Sequence, residues 1–331
     1  AMMGRKGLGI ELDEATAIAA NSNLLRVANH GFDSSLTESN IRVGDGTIGD
    51  GELEVAMLHL DPARPRNSRT HGLDEMAPKL PEIFSAWKDV LSTGERGPAI
   101  LLDLSPRLIE EQRIEVESIV DSFWPGIGKT WVWTSRGRGR IDRLSLWLGQ
   151  LSTPGISRRF VRIPPDIKDK PVVVEGNGDT ISDHRRPPRK GEYISILDAA
   201  LVESGLAVEF LNSVLPDQEI IWSITQGRRP QIHHPGPFEF ENKRQELLIQ
   251  ATGRIVKLVH CELSEEAIPR IVEASRDYGF GKLTLRVAMN PEVQPRLQGS
   301  IDRQLISKGG SHAGFVAKQP HDSMLLLCLE S

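Results

Sequence analysis

The sequence predicts an α/β protein made of two similar Rossmann-like lobes with mostly parallel sheets, joined by a Pro/Gly-rich linker. Three observations support this fold class. Strand-like apolar runs alternate with helical segments long enough for the crossover connections that parallel strands require. Residues 99–133 and 254–287 both follow the order strand, capped helix, Gly turn, strand. Between them, residues 164–191 carry two Pro-Pro pairs and a Gly-Asn-Gly sequence, which is typical of a linker.

The first half of the chain is expected to hold an N-terminal segment and the first lobe. Residues 1–52 are predicted to form a helix, at 13–28, followed by a polar lead-in. The first α/β lobe is predicted over 53–163, and Ser105 is expected to cap its second helix. Its elements in order are a strand at 53–60, a helix at 73–91, a strand at 99–104, a helix at 106–123, a strand at 129–134, a short helix at 141–148 and a strand at 159–163.

The second half is expected to hold the linker, residues 164–191, and the second α/β lobe, residues 192–331. The elements of this lobe are a helix at 193–215, a strand at 219–225, a helix at 237–250, a strand at 254–261, a helix at 264–278, a strand at 281–289, a helix at 291–306 and a strand or hairpin at 315–329.

The composition is typical of a folded globular protein without membrane spans or a disulfide framework. The 331 residues are 39% hydrophobic and 26% charged, which is typical of a folded chain with room for two domains. No apolar run is long enough to cross a bilayer, so no membrane association is expected. Cys261 and Cys328 lie in separate strand-like runs and belong to no Cys-x-x-Cys pair. They are predicted to be buried free thiols, which favours a cytoplasmic location.

Charge is distributed unevenly along the chain. The net charge is −5, yet residues 129–190 contain 14 Lys and Arg against 6 Asp and Glu, a balance of +8. A ligand responds to the local field more than to the net charge. This segregation therefore predicts an anionic partner.

A loop rich in arginine and histidine is predicted after the first strand of each lobe, at 61–72 and 227–236. The proposed ligand-binding and acid/base groups are Arg66, Arg69, His71, Arg228, Arg229 and His233. Ligands of open α/β sheets bind beyond the carboxyl ends of the strands, and arginine offers paired donors to phosphate oxygens. We expect His71 and His233 to act as acid/base groups across a shared hollow. The alternative is a solvated loop stiffened by proline.

Three windows in these loops match Arg-x4-His, beginning at Arg66, Arg228 and Arg229. This spacing resembles the catalytic motif of the HEPN family of ribonucleases, which places it in a helical bundle. Here Pro65 precedes one window and Pro230 lies inside the other two. Because proline breaks a helix, the sequence argues against membership of that family.

The densest basic segment follows the strand predicted at 129–134. Arg136, Arg138 and Arg140 alternate with glycine there and are expected to contact the ligand. Trp131 and Trp133 precede them, either to stack on bases or to pack in the core. A solvated loop is again the alternative.

No motif identifies a cofactor or a metal. The run 126–130 resembles the tail of a phosphate-binding P-loop, but it lacks the first glycine and leaves a helix instead of entering one. Asp61 and Asp103 near strand ends offer only a weak Mg²⁺ site, so no metal ligand is assigned. The cofactor stays unknown.

The function predicted from these patterns is binding of a nucleotide or nucleic-acid phosphate in a basic cleft between two α/β lobes, with phosphodiester cleavage left open. Tandem lobes of this kind resemble sensor modules for cyclic oligonucleotides at the level of architecture. The alternatives are a transferase or hydrolase acting on an anionic metabolite, and a non-catalytic subunit of a nucleic-acid-associated complex. A homodimer is also left open.

Overall fold

The structure, a computed structural model, describes residues 6–29, 39–63, 72–166, 168–182, 184–306, 310–319 and 323–330. Helices occur together with sheets that have both parallel and antiparallel neighbours, which confirms a mixed α/β class. The chain divides into two compact units. Unit 1 is Ala1–Gly128 with Trp147–Leu151, and unit 2 is Lys129–Leu146 with Ser152–Ser331. This division differs from the lobes expected at 53–163 and 192–331.

Unit 1 contains two parallel strand pairs. Its elements are β1 (Leu8–Glu11), α1 (Glu14–Asn29), β2 (Asn40–Val43), β3 (Leu58–Leu60), α2 (Leu80–Trp87), β4 (Thr93–Gly94), β5 (Gly97–Pro98), β6 (Ile100–Leu104) and α3 (Glu110–Phe123). Strand β1 pairs with β2, and β3 pairs with β6, both in parallel. Helix α1 confirms the helix predicted at 13–28, and β6 confirms the strand at 99–104.

Helix α3 starts later than predicted. Ser105 forms a turn in which its Oγ accepts a hydrogen bond from the Arg107 amide at 3.3 Å. The residue that precedes the helix is Ile109, whose amide donates to the Gln112 side chain at 3.1 Å. The prediction that Ser105 caps the helix is therefore wrong, because its turn closes before the helix begins.

Unit 2 carries most of the strands. Its elements are β7 (Lys129–Ser135), β8 (Arg143–Leu148, ending in unit 1), β9 (Arg158–Arg162), β10 (Val172–Gly176), β11 (Tyr193–Leu197), α4 (Ala199–Glu203), α5 (Ala207–Val214), β12 (Ile221–Ile224), β13 (Gln231–His234), β14 (Ile249–His260), α6 (Ile268–Arg276), β15 (Phe280–Leu285), α7 (Gln294–Ile306), β16 (His312–Lys318) and β17 (Met324–Glu330). The strand-helix-strand order predicted at 254–287 is present as β14, α6 and β15.

The large sheet of unit 2 has seven strands in the order β12-β13-β11-β14-β17-β16-β15. Five of its six neighbouring pairs are antiparallel, and only β15 with β16 is parallel. The prediction of mostly parallel sheets is wrong for this sheet. Short connections from β12 to β13 and from β16 to β17 reverse the chain as hairpins, which requires antiparallel pairing.

Several segments predicted as helix, loop or linker form other elements. Residues 143–148 form β8, 193–197 form β11, and 231–234 form β13 inside the seven-stranded sheet. Part of the expected linker forms β10, which pairs antiparallel with β9. The helix expected at 237–250 is replaced by a 3-10 helix at Lys243–Leu248, after which β14 begins.

Both faces of the seven-stranded sheet are covered by apolar packing. In β17, Leu325 and Leu327 belong to one core with α6 and α7, while Leu326 and Cys328 belong to the other. This alternation follows from the two-residue period of a strand. Cys261 and Cys328 are free thiols, and Cys328 is fully buried. Within the described ranges, no helix is both long enough and apolar enough to span a bilayer.

Candidate functional site

The basic loop, residues 136–140, begins where β7 ends. Its three arginines are exposed, and its two glycines are buried. Gly137, Arg138 and Gly139 have φ of 86°, 64° and 68°, the left-handed region that favours glycine. A Cβ atom on Gly139 would clash with the Arg228 carbonyl oxygen, and one on Gly137 would clash with a guanidinium beneath the loop. The Arg-Gly alternation thus keeps the backbone of the loop close to the rest of unit 2 while the cations face solvent.

A buried polar network supports this loop from below. The Ser135 hydroxyl donates to Asp198 Oδ2 at 2.8 Å and accepts from the Gly137 amide at 2.8 Å. Asp198, which precedes α4, also accepts from the Ala200 amide at 2.8 Å. Arg162 Nε lies 3.5 Å from Asp198 Oδ2. Burial raises the pKa of Asp198 and lowers the pKa of Arg162, and the neighbouring donors and the pairing offset part of this cost of burying the two charges.

A second loop brings further arginines to the same part of unit 2. Arg228 is exposed, and its carbonyl accepts from Gln250 Nε2 at 3.2 Å. Arg229 is half-buried, and its Nη1 donates to the carbonyls of Val287 at 2.6 Å and Leu285 at 3.3 Å. These contacts anchor Arg229 where β15 ends.

The charges that shift the pKa of Arg229 are both positive. Burial lowers the pKa of Arg229, and the nearby Arg286 and Arg228 cations lower it further. In the described part of the chain, no carboxylate forms an ion pair with any of these three arginines. We define the arginine cluster as the basic loop and this second group, that is Arg136, Arg138, Arg140, Arg228, Arg229 and Arg286. Within it, Arg140 Nε approaches Asp142 Oδ1 at 3.3 Å.

Arg186 in the same unit is compensated by carboxylates. Its Nη2 lies 2.7 Å from Glu192 Oε1 and 2.8 Å from Glu219 Oε2. These hydrogen bonds raise the pKa of Arg186. Arg229 has the opposite electrostatic environment, since it is half-buried beside other cations. Binding of an anion would relieve that repulsion.

His233 lies in a different environment from the predicted surface loop. It is fully buried in β13, its Nδ1 is 3.1 Å from Ser223 Oγ, and burial lowers its pKa to about 4. Its neighbour His234 bonds Ser195 Oγ at 2.8 Å and has its pKa lowered to about 4 in the same way. Both imidazoles are therefore neutral at pH 7. The prediction that His233 lies in a loop is wrong, because β13 is flanked by β12 and β11.

Three predicted site residues, Arg66, Arg69 and His71, lie outside the described residues. The expectation that the two arginine-histidine loops face each other stays a prediction. Asp103, the residue considered for Mg²⁺, lies 2.9 Å from His59 Nε2 through its Oδ2 atom. Within the described ranges, no three His, Cys, Asp or Glu side chains come together as metal ligands.

The indole rings before the basic loop are not available for stacking on bases. Trp131 is 5% exposed and Trp133 is 1% exposed. The two rings pack against each other with centroids 6.4 Å apart. Of the two predicted roles, packing in the core is the one observed.

Sequence reasoning missed Arg286 and a cavity of about 200 Å³ whose lining includes the next residue of the chain, Val287. The cavity lies where β14, β15 and β16 end and α7 begins. Val287 lines this cavity and also accepts the hydrogen bond from Arg229. The strand predicted at 281–289 ran past this point. A strand ending at 285 would have placed Arg286 in a strand-end loop, like the other predicted arginines.

No family model and no curated protein matches the chain. Among solved structures, it is similar to a crystal structure described as a "putative methyltransferase from Porphyromonas gingivalis W83". The TM-score is 0.61 at 13% identity, over 98% of this chain and 71% of that chain. TrmN from Thermus thermophilus matches with a TM-score of 0.25 at 12% identity, over 42% of this chain and 45% of that one. The first likeness shows a shared fold. The TM-score of the second match is too low to show a shared fold.

Proposed function

We propose that unit 2 binds phosphate groups of a nucleotide or a nucleic-acid strand through the arginine cluster. The observation that carries this proposal is the environment of Arg229, which is half-buried beside Arg228 and Arg286 without a carboxylate partner among the described residues. Like charges held together under partial burial are costly, and a bound anion offsets that cost.

Phosphate fits this cluster better than a single carboxylate does. A phosphate group has several acceptor oxygens and can satisfy more than one guanidinium at once. The basic loop presents three exposed arginines on a backbone fixed by buried glycines and the Ser135–Asp198 hydrogen bond. A row of cations of this kind suits a ligand with successive phosphates, such as an oligonucleotide.

Binding of a labelled single-stranded oligonucleotide, followed by fluorescence anisotropy at low salt, tests the proposal. We expect Arg138→Ala and Arg228→Ala each to weaken binding by roughly fivefold, about 1 kcal/mol, because each removes one phosphate contact. Arg303→Ala is the matched control, since Arg303 is also exposed but lies in α7. An equal effect of all three variants, or no binding at low salt, would refute the proposal.

Group transfer to an anionic substrate is a second candidate, and methyl transfer is its most specific form. It is supported by the likeness in fold to the Porphyromonas structure. Incubating the protein with an oligonucleotide pool and a methyl-labelled sulfonium donor tests this candidate by label incorporation. Absence of label with every acceptor offered, including small anionic metabolites, would count against it.

Phosphodiester cleavage remains a separate proposal that depends on His71, with Arg66 and Arg69 as further ligand contacts. The buried position of His233 leaves that residue without a catalytic role in our proposal. Cleavage of a labelled oligonucleotide that is abolished by His71→Ala would support it.

The free thiols of Cys261 and Cys328 support a reducing, cytoplasmic setting. A homodimer or a subunit role in a larger complex is equally compatible with this proposal.

A further inference from the structure

We infer that the cavity at the end of β15 receives the base of a nucleotide whose phosphate is bound by the arginine cluster. The inference rests on the proposed function and makes it more specific. It names a nucleoside monophosphate, free or at the end of a strand, as the ligand. The base it favours is guanine.

The walls and rim of the cavity differ in chemistry. Val287, Met289 and Leu297 contribute apolar walls, and Leu297 belongs to the core that α7 forms with the sheet. Glu262, Asn290 and Lys318 contribute polar groups from the end of β14, the β15–α7 connection and the end of β16. Small-molecule sites commonly combine apolar walls with a few convergent polar groups. A flat heterocycle can pack against the apolar walls and form hydrogen bonds with the polar groups.

The polar groups favour a base that has an N–H donor beside a carbonyl oxygen. Glu262 Oε1 accepts from Ser323 Oγ at 3.3 Å, which leaves Oε2 as an acceptor for a base N–H. The Lys318 ammonium can only donate, so it suits a carbonyl oxygen. Guanine is the purine with an amino donor and the O6 acceptor, whereas adenine has no carbonyl oxygen.

The cavity and the arginine cluster are joined by residues 285–287. Arg229 Nη1 donates to the carbonyl of Val287, and the Val287 residue lines the cavity. Arg229 Nη1 also donates to the carbonyl of Leu285, the last residue of β15. Because Val287 both lines the cavity and contacts Arg229, we assign the phosphate and the base of one nucleotide to these two neighbouring places.

Isothermal titration with GMP, AMP and inorganic phosphate tests the inference. GMP and AMP share ribose and phosphate and differ in the base. We expect GMP to bind at least tenfold more tightly than either AMP or phosphate. Ala288→Trp changes an exposed residue at the cavity and should remove the advantage of GMP by occupying the space. Glu262→Gln should reduce the preference for GMP over AMP, and Val173→Trp, at an exposed position of β10, should leave both affinities unchanged.

The outcomes separate this inference from the proposed function. Equal affinities for GMP, AMP and phosphate, with no effect of Ala288→Trp, would overturn the inference. In that case, oligonucleotide binding that still depends on Arg138 and Arg228 would leave the proposed function intact. Loss of binding to every phosphate-bearing probe at low salt would overturn both.

Discussion

His233 and His234 are adjacent in β13 and point to opposite faces of the seven-stranded sheet, because side chains alternate along a strand. Both are fully buried. His234 Nδ1 lies 2.6 Å from the Gly236 carbonyl and Nε2 2.8 Å from Ser195 Oγ. Both ring nitrogens of His234 thus have a hydrogen-bond partner. Burial lowers the pKa of each ring to about 4, because a charged ring loses hydration inside the sheet.

We predict a loss of stability on acidification that comes from these two residues. The unfolded chain binds a proton at each imidazole near pH 6.5, whereas the folded chain does so only near pH 4. The unfolded state therefore holds more protons between these values, and the free energy of unfolding falls as pH drops from 6.5 towards 4. The full loss is on the order of 3 kcal/mol per histidine. Urea denaturation at pH 7.5, 6.5, 5.5 and 4.5 measures it.

His233→Gln and His234→Gln serve as controls for this prediction, since neither titrates in the range. Their stability should fall less steeply than that of the unchanged protein between pH 6.5 and 5. Burial raises the pKa of Asp198 and Glu209, so those groups favour the folded state as pH falls and work in the opposite direction. Parallel curves for the variants and the unchanged protein would show that the histidines do not titrate as described.

Asp198 and Arg162 form the second buried pair of titratable groups with a structural role. Asp198 is 1% exposed and Arg162 is 8% exposed. We predict that Asp198→Ala lowers the free energy of unfolding by roughly 3–5 kcal/mol, because it leaves Arg162 buried without its carboxylate. Asp198→Asn should cost less, since its one amide oxygen can replace Oδ1 and still accept from the Ala200 amide. Urea midpoints test this order, and equal midpoints for the two variants would contradict it.

At the level of elements, the connection from β7 to β8 determines how the cations are displayed. Gly137 and Gly139 have left-handed backbones and are buried, so each neighbouring arginine faces outward. The Arg136 amide donates to Asp142 Oδ2 at 2.6 Å, which closes the loop before β8. The loop is therefore an ordered turn rather than a flexible chain of positive charges.

We predict that Gly139→Ala both destabilises the protein and weakens oligonucleotide binding. The new methyl group would clash with the Arg228 carbonyl oxygen, so one of the two cationic loops must move. Gly155→Ala is the matched control. Gly155 has φ of 72°, but a Cβ there meets nothing within 4 Å, so only the backbone strain of about 1 kcal/mol applies. A thermal melt and an anisotropy titration of both variants test this, and equal losses would contradict the proposed contact between the loops.

Some elements were predictable from the sequence, and others were misassigned for physical reasons. In β8, Leu144, Leu146 and Leu148 are fully buried, and this two-residue alternation is visible in the sequence although the segment was predicted as a helix. Strand β13 gave no such signal. Its Gln-Ile-His-His sequence lies between Pro230 and Pro235, and only pairing with distant β11 and β12 makes it a buried strand.

For the whole molecule, the sequence predicted the positions of arginines correctly where local rules apply and misplaced residues where long-range packing decides. Arg138 and Arg228 were predicted from their position after strands, and they lie in neighbouring loops of unit 2. Arg286 was missed because the end of β15 was placed four residues too late, at 289 instead of 285. His233 was misassigned because burial depends on strands distant in sequence.

The net charge of the chain makes the salt dependence of binding a test of the cluster itself. The chain carries −5 overall, so its net charge does not attract a polyanion and binding must depend on local groups of cations. Four arginines of the cluster are exposed, Arg136, Arg138, Arg140 and Arg228, and of these Arg140 would have to exchange its 3.3 Å contact with Asp142 for a phosphate contact. A single-stranded oligonucleotide that uses three or four of them should show a slope of log K against log salt of about −2 to −3. Arg138→Ala should reduce the magnitude of this slope by roughly 0.7, because one phosphate contact is lost.

Anisotropy titrations between 25 and 200 mM salt (about one decade) measure both slopes, with Arg303→Ala as the control. A slope that is unchanged when Arg138 and Arg228 are both replaced by alanine would show that the oligonucleotide is held elsewhere on the protein.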